Sequence, residues 1–145
     1  MTPRLLFLTV SAMLTACSTT ANSANTATAP VTSRTNGLGS QSLAPGECGL
    51  FGWSAADAPE FVFFAAPGRA LYYAGDGETR TLSPQGPFPS MNYGDYKLTL
   101  GQGEPMVEGT RYASARMTET LPDGFTRVRP LVILQSCQTP DGAAR

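Results

Sequence analysis

An all-β domain is what this sequence predicts: a small antiparallel sandwich or barrel of seven or eight strands, stapled by one disulfide and preceded by a disordered tether. Short runs rich in aromatic and β-branched residues recur at roughly 8–12-residue spacing, separated by Gly, Pro and Asp, with no convincing helical periodicity. Charged residues are only 14% of the 145-residue chain, which carries 15 Gly and 12 Pro, a balance that suits turns and argues against coiled coils and long helices. Two cysteines, Cys48 and Cys137, bracket the strand-like runs.

Taken in order, the chain opens with a short basic head ending at Arg4 and a mostly apolar run from Leu5 to Leu14. That run is too short for a membrane span, which needs about 20 residues, and has the length of a signal-peptide core. It ends in Leu14-Thr15-Ala16-Cys17, which resembles the lipobox of bacterial lipoproteins. The resemblance implies cleavage before Cys17, a thioether from its sulfur to diacylglycerol, and acylation of the new amine. Residues 1–16 are then a lipoprotein signal peptide. By the same resemblance, Ser18 after the Cys directs the protein to the outer membrane, facing the periplasm. Arg outnumbers Lys nine to one, which suggests a GC-rich genome. In an actinobacterium the same anchor would sit in the outer leaflet of the cytoplasmic membrane.

Residues 17–42 are dominated by Ser, Thr, Ala, Asn and Gly and have almost no large apolar side chains, so nothing offsets the entropy of ordering them. They read as a flexible tether that spans on the order of 25–30 Å. The β domain is expected over 43–138, with a flexible tail at 139–145. Phe61–Phe64 is an aromatic and β-branched run. Leu71–Tyr73 and Thr79–Leu82 flank Gly75-Asp76-Gly77, a hairpin signal. Tyr96–Leu100 alternates with period two, placing Tyr96, Leu98 and Leu100 on one face. Arg111–Thr120 and Phe125–Arg129 flank a second turn, Pro122-Asp123-Gly124, and Leu131–Leu134 closes the domain.

With Cys17 carrying lipid, Cys48 and Cys137 remain as a pair in an oxidising compartment. Cys48 shares a strand face with Leu50, and Cys137 shares one with Leu131 and Ile133, so both point inward and the first and last strands are expected to be stapled as neighbours. Closing a loop of this size contributes up to about 4.6 kcal/mol in the chain-entropy model.

The catalytic inventory is poor. The chain has no His, which removes Ser–His–Asp and Cys–His systems and the commonest zinc ligand. No glycine loop has phosphate-binding spacing, and a formal net charge of -1 offers no footprint for nucleic acid. Glu104 and Glu108 are near neighbours, and paired acids hydrolyse glycosidic bonds; the plainer reading is two solvated loop acids around Pro105. No catalytic residue, metal ligand or cofactor is expected.

Two features are candidates for binding. Ser83–Asp95 is a long connection holding Phe88, Met91 and Tyr93 among prolines, which either presents these side chains to a partner or folds them back as a plug. Arg127 and Arg129 share a strand face, and Arg116 on the partner strand is placed beside them as an anion-binding row, or as a solvated face with cross-strand pairs to Glu119.

Glu47-Cys48 at one end and Ser136-Cys137-Gln138 at the other, with the lipobox, tether and small β domain, resemble the membrane-bound c-type lysozyme inhibitor family. The resemblance implies a β-barrel that inserts a loop into the lysozyme active site through a Ser-Gly-x-x-Tyr motif. The matching stretch is Glu108-Gly109-Thr110-Arg111-Tyr112, with Glu in place of Ser, and the family's lysine-bearing second motif is missing. The expected function is a non-enzymatic, lipid-anchored envelope protein that binds another envelope protein or cell-wall glycan. Lysozyme inhibition and carboxylate-dependent glycan hydrolysis are the alternatives.

Overall fold

Alternating apolar residues form strands here because each run buries one face, and the Gly- and Pro-containing segments between them turn the chain back. The computed structural model describes residues 36–141. The expected signal segment, Cys17, most of the expected tether and residues 142–145 lie outside the described residues. Within them the protein is all-β, with no helix and nine strands: β1 Cys48–Ser54, β2 Phe61–Ala66, β3 Arg69–Tyr73, β4 Thr79–Leu82, β5 Asn92–Tyr93, β6 Tyr96–Thr99, β7 Gly103–Met106, β8 Gly109–Thr120 and β9 Thr126–Cys137.

The strands form one antiparallel sheet in the order β4-β3-β2-β1-β9-β8-β6-β5, with β7 also on β8. First and last strands are neighbours, Cys48 lies directly across from Cys137, and the two are disulfide-bonded. The sheet curls until it nearly closes into a barrel. Across the remaining seam, Arg80 of β4 bonds Tyr96 of β6 and Glu119 of β8, and the Tyr72 and Tyr96 rings meet edge to face at 5.4 Å. Leu50, Phe63, Leu98, Met117, Leu131 and Ile133 fill the interior.

Two strands escape the sequence reading for physical reasons. β7 carries Gly103 and Pro105 and reads as a turn. It pairs only with β8, and an edge strand tolerates a residue without an N–H. β5 is a two-residue strand inside the long connection. Conversely, the two runs expected around Pro130 are one strand, β9. The Pro130 carbonyl accepts from Ala55 N at 3.2 Å. Its ring therefore faces the side where β1 has just ended, and no ladder bond is lost.

Packing also begins upstream of Leu43. Leu38 is buried, its N–H donates to Phe61 O at 2.6 Å, and Gly46 N donates to Gln138 O at 3.1 Å. This segment therefore runs across the outer side of β1 and β2, where Phe51 stacks on Phe61 and meets Phe64 at a tilt.

The β7–β8 hairpin turns at Val107-Glu108 and closes on Gly109, which has φ +142. A Cβ there would lie 1.9 Å from Gln135 O of β9. Gly109→Ala is expected to destabilise the protein by more than about 2 kcal/mol, read by urea unfolding. A wild-type midpoint would show that the hairpin is not held against β9.

Candidate functional site

The two ends of the barrel differ in kind. At one end, β9 and β8 place Arg129, Arg127 and Glu119 on the inward face, because Met117 pairs with Arg129 and Glu119 with Arg127. Glu119 is the hub. It accepts from Arg80 Nη1 at 3.0 Å, from Tyr96 OH at 2.9 Å and from Arg127 Nη1 at 3.4 Å. Arg80 also donates to Tyr96 OH at 2.7 Å and pairs with Asp76. Arg129 donates to Tyr73 O at 2.6 Å and lies 3.5 Å from Glu60.

The electrostatics follow from this packing. Burial pushes the Tyr96 phenol up, as does its bond to Glu119, against the pull of Arg80. Burial likewise raises Tyr72, opposed by the Arg129 guanidinium. The Glu78 N–H donated to Asp76 holds that carboxyl below its ordinary value, helped by Arg80. Three guanidinium groups are thus met by Glu119, Asp76 and Glu60, beside a hollow of about 420 Å³ lined by Asp95, Tyr96, Glu119, Thr120, Leu121 and Pro122.

This corrects the arginine row. Arg127 and Arg129 do share a face, but it is the inner one. Arg116 pairs with Pro130, one position away from the Met117–Arg129 pair, and so projects from the opposite, outer face.

The long connection is folded inward. Tyr93 is buried, its ring meets Phe63 at 5.7 Å, and its OH donates to Ser90 O at 2.7 Å. Phe88 and Met91 pack against the core. Ser90 Oγ donates to Gln85 O and Asn92 O, which ties the loop to itself. Plug is the arrangement observed, and Phe88, Met91 and Tyr93 do not form a presented surface.

Burial pushes the Tyr93 phenol up to about 12 from an ordinary 10.0. A raised folded value stabilises fully below the unfolded one and is lost as pH rises through the folded one. About 2–3 kcal/mol of stability is therefore expected to disappear between roughly pH 10 and 12, with Tyr93→Phe showing a smaller loss in urea titrations across that range.

The opposite end carries two exposed apolar side chains that the sequence reading missed. Val107 is 97% exposed and Met106 51% exposed at the β7–β8 turn. Behind them lies a hollow of about 280 Å³ lined by Met106, Val107, Glu108, Thr110, Gln135 and Cys137. Tyr112 OH donates to Gln135 Oε1 at 3.1 Å and stiffens its floor. The signal was available in Met106-Val107, two apolar residues between Glu104 and Glu108 in a stretch read as loop. Glu104 is solvated and lies 3.5 Å from Arg111, and the nearby Glu108 occupies the turn itself.

Among the described residues no cluster of His, Cys, Asp and Glu has the makeup of a metal site, and no helix is long and apolar enough to cross a membrane. Comparison with protein-family models, with curated proteins and with solved structures returns no match.

Proposed function

We propose that this protein is a lipid-anchored bacterial envelope lipoprotein, held in the outer membrane through Cys17 and facing the periplasm, whose barrel is a non-enzymatic module that binds an envelope protein through the β7–β8 hairpin tip. Anchoring is supported by cysteine accounting. Cys48 and Cys137 are bonded to each other, which leaves the lipobox cysteine as the third and suits an oxidising compartment.

The observation that carries the binding reading is the exposed Val107 on a tight turn fixed by Gly109. A rigid apolar tip loses little entropy on insertion into a partner's cleft. The interior is packed, and Arg80, Arg127 and Arg129 at the other end are paired with carboxylates of the domain itself. A photo-crosslinking residue at position 107 in cells is expected to capture one dominant envelope protein, whereas the same residue at position 88 captures none. Equal capture at both positions, or capture of glycan alone, overturns the assignment.

A second reading, lysozyme inhibition, is favoured by one placement: Glu108-Gly109-Thr110-Arg111-Tyr112 starts at this tip and runs into β8. Under it, the purified protein slows lysozyme turnover and Val107→Asp abolishes the effect. Unchanged turnover removes the reading.

A further inference from the structure

We infer that a second surface, the outward face of β6 and the β8–β9 hairpin, docks on an anionic lipid bilayer. Two rows of residues build it. Thr118 pairs with Lys97 on one side and Val128 on the other, and Arg116 pairs with Thr99 and Pro130. Alternation sets these side chains opposite Met117 and Glu119, which face the interior. Neither row contains an acid.

The face is electrostatically unlike the rest of the domain. Arg69, Arg80, Arg111, Arg127 and Arg129 each have a carboxylate partner. Among the described residues Lys97 and Arg116 are the two side-chain cations with no ion pair, and they lie diagonally across adjacent strands. Glu119, three positions from Arg116, is turned to the inner face, and the other nearby acids are in the end turns. Asp123 there accepts Phe125 N at 3.1 Å, and Asp95 lies in the β5–β6 turn.

Apolar side chains adjoin the cations. Phe125 is 72% exposed at the hairpin turn and Val128 is 53% exposed beside it. An aromatic at a turn, an aliphatic behind it and two free cations match a membrane interface, where rings sit at headgroup level and cations meet phosphate.

The described chain starts beside Phe61 and runs towards Gln138, away from the β8–β9 turn. Phe61 is level with Trp53 and Val132, at mid-height of the sheet, so the entry point favours neither end. The Val107 tip is at the other end of β8, so docking leaves it free.

The inference uses the anchoring reading only to bring the bilayer close, and the test separates the two. The full chain carrying Trp53→Phe and Phe125→Trp, which places its one tryptophan in an exposed turn, is reconstituted with vesicles of phosphatidylcholine alone or with phosphatidylglycerol added, both with brominated acyl chains. Flotation with the vesicles reports anchoring, and quenching reports docking. Quenching of about twofold or more is expected on the anionic vesicles and little on the neutral ones. Lys97→Glu with Arg116→Glu is expected to weaken the response at least about tenfold, since each cation contributes about fivefold. A floating protein with unquenched tryptophan, or equal quenching on both vesicles, overturns the docking face. A chain that does not float contradicts the anchor alone; excess anionic vesicles then still read docking through the same tryptophan, and no quenching there overturns it.

Discussion

Replacing Cys48 and Cys137 together by Ser is expected to cost up to about 4.6 kcal/mol and to lower the melting temperature by roughly 15–30 °C. The size follows from the loop. The bonded residues are 89 positions apart, so the crosslink constrains nearly the whole described domain in its unfolded state. It also ties the first strand to the last, which is where the sheet order joins β1 to β9. Calorimetry of the double variant against wild type checks this, with the double variant preferred because it leaves no lone thiol to form mixed disulfides. A shift of only a degree or two would mean that β1–β9 pairing alone holds the ends together.

Glu119→Ala is expected to destabilise the domain by about 2–3 kcal/mol, the second-largest single effect. The carboxylate is only 11% exposed and serves two cations and a phenol. Its removal leaves the Tyr96 hydroxyl without its acceptor and Arg80 Nη1 with that hydroxyl alone, while Asp76 keeps Arg80 Nη2. Arg127 is 55% exposed and regains water, so its share is small. Glu119→Gln keeps an acceptor for Tyr96 and is expected to lose about half as much. Denaturant unfolding with added salt separates the cases: the partly buried Arg80 contact persists, whereas the Arg127 contact is screened. Equal, near-zero losses for both variants would show that the seam is held by the Tyr72–Tyr96 and Phe63–Tyr93 ring contacts alone.

Local chemistry made much of this fold readable. Period-two alternation placed Tyr96 and Leu98 on one face, and both lie inside. Gly75-Asp76-Gly77 joins β3 to β4, and Pro122-Asp123-Gly124 joins β8 to β9. The pairing of Cys48 with Cys137 across the terminal strands matches the expectation, but the bond is not in the core: Cys48 is half-buried and Cys137 exposed.

Register and curl were not readable. Sequence spacing sets Arg116 beside Arg129, but the ladder pairs Arg129 with Met117, and one residue of register moves a side chain to the other face. β8 also carries an extra residue between Tyr112 and Ala115, which no sequence signal marks. The Arg80–Glu119 contact joins residues 39 apart and exists only because the sheet bends back on itself. Val107 was overlooked for a related reason: Pro105 hid an edge strand, and without β7 there is no hairpin tip to notice.

Lipid anchoring at Cys17 is the proposal that decides where this domain works. Mass spectrometry of the N-terminal peptide of protein purified from cell membranes tests it directly. The expected peptide begins at Cys17 and carries the mass of a diacylglyceryl group on sulfur and an acyl chain on its amine. A peptide beginning at any other residue, or an unmodified Cys17, would contradict the account.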